Sequence, residues 1–393
     1  MLRMNKRLDP GQSGGEADKL NANLRKRIVG QDEAIDQVVN IYQTFLAGMN
    51  APGRPIGNFL FLGPTGTGKT RLVEALAESM VGDAGAVIKI DCAEFQHSHE
   101  IAKLIGSPPG YLGHRETHPL LSQEVLNQYH TDRFKVSFVL FDEIEKASDA
   151  LWNLLLGIMD KGTLTLGDNR RVDFSRAMIF MTSNLGAVEM SFIIRPKLGF
   201  GAAEVERRRA TGEVEEGLQG KINRAGLEAA RRKFTPEFMN RLDRVIVFRP
   251  LEMNDLKKIL SIEMNMLQQR IFNSAQTTPF VFNMTEPAKD FLLREGTDVK
   301  YGARHLKRTI ERSLVHPLSN LIASGQIQNG DLIQIDFDDE LGILTFTKEA
   351  ENIPGYVMVQ MTDTTTPAQA AAAAMASELE MPRVASAKST RRS

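Results

Sequence analysis

The residues Gly63-Pro64-Thr65-Gly66-Thr67-Gly68-Lys69-Thr70 fit the spacing Gly-x-x-x-x-Gly-Lys-[Ser/Thr]. Backbone N–H groups freed by such glycines can wrap phosphate oxygens, Lys69 can span a β- and a γ-phosphate, and Thr70 can ligate Mg²⁺. Further along, the apolar run 136–141 ends in Asp142 and Glu143. Side chains alternate across a strand, which assigns the two acids different tasks: Asp142 in the Mg²⁺ shell and Glu143 polarising an attacking water. Asn184, at the end of Thr182-Ser183-Asn184, brings a neutral amide that can orient that water. The same triplet also suits a helix cap, and the two readings are compatible.

These groups need a common platform. A short apolar run, 59–62, leads into the glycines and is followed by helical periodicity over 69–80. Further apolar runs at 86–90, 136–141 and 177–181 are continuous rather than alternating, which implies strands buried on both faces. The expected fold class is therefore α/β, a parallel sheet flanked by helices. Helical spacing also runs over 24–49, broken by the turn Val29-Gly30-Gln31, with Asp32 placed to cap the second helix. Past Arg249-Pro250 the texture changes to helical segments at 251–271, 287–295 and 303–323, then alternating strands at 332–337 and 343–346. The expected division is a flexible leader at 1–19, a large domain at 20–250, a smaller α+β domain at 251–349, and a disordered tail at 350–393.

The chain has 393 residues, 42% hydrophobic and 25% charged, enough for two or three packed modules without disulfides. Its 48 basic and 49 acidic residues leave a net charge of -1, which disfavours a nucleic-acid or anionic-lipid partner for the chain as a whole. Cys92 is the only cysteine, so no internal disulfide or cysteine-cluster metal site can form. With no apolar stretch of bilayer length, a cytoplasmic protein is expected.

Loop, paired acids and triplet together resemble the AAA+ ATPases and, within them, the Clp-type protein unfoldases, specifically their second ATPase module. Four further strings carry the resemblance: Arg54-Pro55-Ile56-Gly57, Gly106-Ser107-Pro108-Pro109-Gly110-Tyr111-Leu112-Gly113, Phe234-Thr235-Pro236-Glu237-Phe238-Met239-Asn240-Arg241-Leu242-Asp243, and Tyr301-Gly302-Ala303-Arg304. It runs from about residue 24 to about residue 346. The resemblance implies a P-loop NTPase sheet with a C-terminal lid domain, ATP and Mg²⁺ as cofactors, and a homo-oligomeric ring, expected to be a hexamer.

The resemblance also distributes roles. Tyr111 matches the channel-loop aromatic that grips a threaded polypeptide, and residues 165–174, with Asp168, Asn169, Arg170 and Arg171, resemble a second channel loop or a plain charged hairpin tip. Arg241 matches an arginine donated to a neighbouring subunit's γ-phosphate, and Arg304 one that senses nucleotide in cis. The local alternatives are an Arg241–Asp243 or other surface pair and a solvated helix start at Arg304. Ile28 and Val29 match the adenine-side segment, while Leu198-Gly199-Phe200 falls where relatives dock a ClpP-type peptidase, or forms core or an ordinary turn. The stretch His114-Arg115-Glu116-Thr117-His118-Pro119 departs from the family, and Pro119 argues against a helical His114/His118 zinc pair. The expected function is an ATP-driven unfoldase or remodelling chaperone of a single ring. A nucleotide-dependent assembly factor that does not thread its partner is the alternative, and a DNA-remodelling ATPase is disfavoured by the charge balance.

Overall fold

The computed structural model describes residues 9, 11–107, 118–132, 134–194, 215–273, 279–297, 302–355 and 357–358. Tyr111 and Leu198-Gly199-Phe200 lie outside the described residues, as do His114, Tyr301 and the segments 1–8 and 359–393. The chain divides into two compact units, Met1–Asp255 with Asp298–Arg304, and Leu256–Thr297 with His305–Ser393.

In the first unit, β1 (Gly57–Leu62), β2 (Ile88–Asp91), β3 (Ser137–Asp142), β6 (Ala177–Ser183) and β7 (Arg244–Val247) form one sheet in the order β2-β3-β6-β1-β7. Every neighbouring pair is parallel. Helices α1 (Gly15–Arg27), α2 (Asp32–Leu46) and α3 (Lys69–Val81) bury their apolar faces in the same cluster as Phe59, Phe61, Phe138, Leu140, Met178 and Phe180. The intervening residues Leu60, Leu62, Val139, Phe141, Ile179 and Met181 join a second cluster, with the helices Asp149–Lys161 and Glu215–Lys233. The continuous apolar runs are thus explained: odd and even residues feed two cores, one on each face of the sheet. The hairpin β4 (Thr163–Thr165) and β5 (Arg171–Asp173) carries a tip whose Asn169 sits at φ +66°.

Three details differ from the sequence expectation. Helix α1 starts at Gly15, ahead of the helical spacing expected from residue 24, because Ala17 is fully buried and, with Leu20 and Leu24, completes the α2/α3 face. Asp32 is the first residue of α2 and the cap position falls to Gln31, which makes no side-chain cap bond; its amide is occupied elsewhere, donating to the carbonyls of Thr67 and Arg249. Strand β7 is not anticipated at all. It is short and starts with Arg244, so its periodicity is hidden beside a charged string, and what makes it a strand is the register with Phe59 to Leu62.

In the second unit, β8 (Val281–Met284), β9 (Leu332–Asp338) and β10 (Ile343–Ala350) form a sheet in the order β10-β9-β8, antiparallel between β10 and β9 and parallel between β9 and β8. Buried Gln268 stitches the helix Met253–Asn273 to β8, donating to Phe280 O at 2.7 Å and accepting from Phe282 N at 3.1 Å. The helix expected over 303–323 is in fact Ala303–Ile310, a π-helical turn Glu311–Val315, and His316–Ala323. Pro317 lacks the N–H that an α-ladder needs, and the wider turn precedes it.

The centre of the first unit is aromatic: Phe180 stacks on Phe59 at 5.0 Å and meets Phe61 at 5.6 Å, all fully buried. Phe180→Ala is expected to lower unfolding stability by about 3–5 kcal/mol, seen in urea titration as a lower midpoint at unchanged slope.

Candidate functional site

Parallel strands all deliver their carboxyl ends to one edge of the sheet, and here that edge collects Gly63 from β1, Asp142 and Glu143 from β3, and Ser183 and Asn184 from β6. The loop from Gly63 to Gly68 is built to a tight backbone path. Gly63 lies at φ +141°, where an added Cβ would stand 2.5 Å from Phe248 O, and Gly68 lies at φ +99° with open space around its Cα. Thr67 Oγ1 donates to Pro64 O at 2.9 Å and closes the loop on itself. Helix α3 then starts at Lys69 with no side-chain cap and no acid in its first turn. Its first N–H groups, at the positive end of the helix dipole, are left for an anion.

Lys69 is buried, and its Nζ donates to Gly63 O at 2.6 Å, Pro64 O at 2.9 Å and Asn184 Oδ1 at 3.1 Å. Burial pulls its ammonium down to about 8, while the negative charges of Glu145, Asp142 and Glu143 act the other way and Arg304 adds to the lowering.

Asp142 and Glu143 do not separate by strand alternation alone. Strand β3 stops at Asp142, and Glu143 takes a left-handed conformation at φ +54°, which re-aims it. Asp142 accepts from the Thr182 hydroxyl, and the same hydroxyl oxygen accepts from Glu143 N at 3.2 Å, so Thr182 ties both acids to β6. The Glu143 carboxylate meets Asn184 Nδ2 at 3.2 Å and Lys146 Nζ at 2.5 Å; the hydrogen bond to Glu143, and then its charge, raise Lys146 above the ordinary lysine range. Asn184 faces this cluster with its whole amide, Oδ1 accepting from Lys69 and from Thr65 Oγ1 at 3.3 Å, rather than capping the helix Ala187–Ile194. Its backbone N–H donates to Glu145 Oε1 at 3.0 Å.

The two arginines separate. The backbone N–H of Ala303 donates to Gly66 O at 3.1 Å, and Gly302 is so close to the loop that an added Cβ would stand 3.0 Å from Gly66 O, so Arg304, exposed at a helix start, follows directly on a contact with the phosphate loop. Arg241 stands at the other edge of the sheet. Its carbonyl accepts from Asn58 Nδ2 at 3.4 Å and from Arg54, and Asn58 N donates to Asp243 Oδ2 at 2.8 Å, all at the amino end of β1. β1 is six residues long, so its ends stand roughly 20 Å apart. The surface pairing offered as the local alternative does form, though not with Asp243: the guanidinium meets Glu237 at 3.0 Å and Asp160 at 3.7 Å.

Ile28 is buried in the core and Val29 half-buried, and a cavity of about 410 Å³ opens one residue further on, between Gly30, Gln31, Ile222, Val247, Pro250 and Leu251. The sequence reading passed over Glu145 and Lys146, which sit directly after the paired acids, and over Gln31, which bonds the loop carbonyl of Thr67. The signal for the first two was available: the run Asp142-Glu143-Ile144-Glu145-Lys146 leaves a buried strand, and a single helical turn there returns every polar side chain to the same edge. Among the described residues, no helix is long and apolar enough to cross a membrane and no His/Cys/Asp/Glu cluster could hold a metal on protein ligands alone.

A family model described as the AAA domain of the Cdc48 subfamily matches residues 54–245, and one described as the C-terminal, D2-small domain of ClpB protein matches residues 251–335. The chain is similar to the chaperone protein ClpB of Rhodopseudomonas palustris, 38% identical over 335 residues, covering 84% of this chain and 34% of that protein. It is similar also to the ATP-dependent Clp protease ATP-binding subunit ClpC of Staphylococcus aureus, 39% identical over 319 residues, covering 81% and 36%. It thus spans about a third of the length of these curated relatives. Among solved structures, the S. cerevisiae Hsp104:casein complex in its extended conformation superposes with a TM-score of 0.68 at 29% identity, over 85% of this chain and 53% of that one. The closed-state reconstruction of Hsp104 with ATPγS and FITC casein gives 0.66 at 29% identity, over 86% and 53%. The chain belongs to the Clp-type AAA+ ATPases and corresponds to their second ATPase module.

Proposed function

We propose that this chain binds and hydrolyses ATP at subunit interfaces of a homo-oligomeric ring, a hexamer, and uses the cycle to unfold or remodel polypeptide threaded through its centre. The observation that carries this reading is the distance between the two halves of the chemistry: phosphate loop, Asp142, Glu143 and Asn184 share one edge of the sheet, while Arg241 stands at the other end of β1. An arginine so placed cannot serve its own site. Its position supports a role at a neighbour's site.

The residues present fit a magnesium triphosphate. The uncapped start of α3 and the loop N–H groups would donate to the phosphate oxygens, Lys69 Nζ, now on two loop carbonyls, would donate to the β- and γ-oxygens, and Thr70 and Asp142 would hold the metal. Magnesium, when bound, neutralises charge that develops between the β- and γ-phosphates. A carboxylate has room for a third partner beyond Asn184 and Lys146, so Glu143 can take a proton from water while Asn184 Nδ2 keeps that water in line. Arg304 is placed to compensate charge from within the chain and Arg241 from the next subunit. The 410 Å³ cavity beside Gly30, with Ile28 and Val29 leading into it, is the place for the base.

Polypeptide as the substrate class is supported by the casein held in the Hsp104 complexes, with Tyr111 as the gripping residue. A ClpP-type peptidase docking on Leu198-Gly199-Phe200 is supported by the description of the S. aureus relative as a protease subunit.

Glu143→Gln is expected to retain nucleotide binding and to cut ATP turnover by at least about a hundredfold, measured by phosphate release against fluorescent-nucleotide affinity; loss of binding would count against the assigned role. For Tyr111→Ala, the amount of tagged substrate unfolded per ATP consumed should fall roughly tenfold or more, and an unaltered ratio would favour a non-threading assembly factor. Lys69 adds a pH signature. Its proton is needed on a phosphate and is held in the free protein only to about pH 8, so nucleotide affinity should weaken as pH rises above that value and binding there should take up a proton, read by calorimetry in buffers of different ionisation enthalpy.

A further inference from the structure

We propose that Glu145 is a positioning residue for Asn184, and so for the attacking water, an inference that rests on the ATP-hydrolysing reading of this site. Glu145 lies on the single 3₁₀ turn Ile144–Lys146, one step past the left-handed Glu143, and this turn carries it from β3 to the exit of β6. There Oε1 accepts the Asn184 backbone N–H at 3.0 Å. That bond matters because Asn184 is the first residue beyond β6 and has left the sheet ladder; its carbonyl accepts from Ala187 N at 3.2 Å, and its N–H is the main-chain group that Glu145 holds. Its side chain meets three groups of the site at once, Thr65, Lys69 and Glu143. An amide with three such partners tolerates little rotation of the backbone that bears it, and Glu145 supplies the constraint from the main-chain side.

Two further observations point the same way. The turn is itself pinned, since Trp152 Nε1 donates to Ile144 O at 3.1 Å and Lys146 N returns to Glu143 O at 2.9 Å, so Glu145 is presented from a fixed support. The other carboxylate oxygen, Oε2, is buried with no hydrogen-bond partner. Leaving a buried carboxylate oxygen unpaired is unfavourable, and what Glu145 gains in return is the bond of its other oxygen to the Asn184 main chain. Glu145 touches neither Mg²⁺-binding side chain through a hydrogen bond in this structure; its action is through Asn184.

The test compares Glu145→Ala, which removes the acceptor, with Glu145→Gln, which keeps an acceptor oxygen and removes the charge. Two readouts are taken on the full-length chain: hydrogen exchange of the Asn184 amide without nucleotide, and kcat alongside fluorescent-nucleotide affinity. The expected result for Glu145→Ala is loss of Asn184 amide protection and a fall in kcat of roughly ten- to a hundredfold, with nucleotide affinity changed less than about threefold, and for Glu145→Gln the recovery of most of both. Should the alanine variant fail to fold, Glu145→Asp, one methylene short of Asn184 N, carries the same expectation. Unchanged protection and kcat in the shortened variants would overturn the proposal, as would a glutamine variant no better than alanine, because charge rather than the hydrogen bond would then be at work. If the unmodified chain proves unable to hydrolyse ATP, the reading of the site fails instead, and the exchange measurement still decides whether Glu145 holds Asn184.

Discussion

One strand sets the terms for everything else. β1 lies between β6 and β7 in the sheet, its side chains feed both cores, its carboxyl end becomes the phosphate loop, and its amino end anchors Asp243 and the carbonyl of Arg241 through Asn58. Because the sheet is parallel, the edge that receives the phosphate loop also receives Asp142, Glu143 and Asn184, and the opposite edge receives none of them. A fold of this kind can gather a metal site, a base and a phosphate cradle at once. It cannot also bring Arg241 to them, since that residue is tied to the far end of a rigid six-residue strand. On the proposed reading, assembly would be a requirement of the chemistry rather than an addition to it.

The second constraint is electrostatic. Lys69 is a buried cation whose donors are satisfied by two loop carbonyls and an amide, and whose charge is held against burial by the acids at the ends of β3. Removing those acids would favour a neutral lysine, while removing Lys69 would strengthen the mutual repulsion of Asp142, Glu143 and Glu145, which Lys146 relieves by direct contact at Glu143. Thr182 and Asn184 hold the acids apart by hydrogen bonds from β6. The site is stable as a mutual arrangement in which no single charge is at ease alone, and an incoming triphosphate would exchange partners within it rather than create them.

Much of this was legible in the residues. The phosphate loop, the paired acids and the Thr-Ser-Asn triplet follow buried strands, and burial on both faces shows as unbroken apolar runs, so the sheet and the site announce each other. What was hidden has physical reasons. β7 opens on a charged residue and is a strand only because β1 offers it a ladder. The left-handed turn at Glu143 cannot be read from a residue type that normally avoids it. Glu145 and Gln31 act through main-chain atoms distant in sequence, and such bonds leave no spacing pattern. The start of α1 at Gly15 depends on Ala17 meeting a surface made by α2 and α3, which composition alone does not disclose.

The claim that a working site takes its loop from one subunit and its arginine from another is tested most directly by mixing two inactive proteins. Lys69→Ala protomers keep a sound Arg241, and Arg241→Ala protomers keep a sound loop. Each alone should turn over ATP very slowly, and co-assembled at equal amounts they should recover a substantial share of activity, because some interfaces then pair a sound loop with a sound arginine. Mixtures no more active than the average of their parts, formed under conditions in which the two proteins demonstrably share rings, would contradict the account.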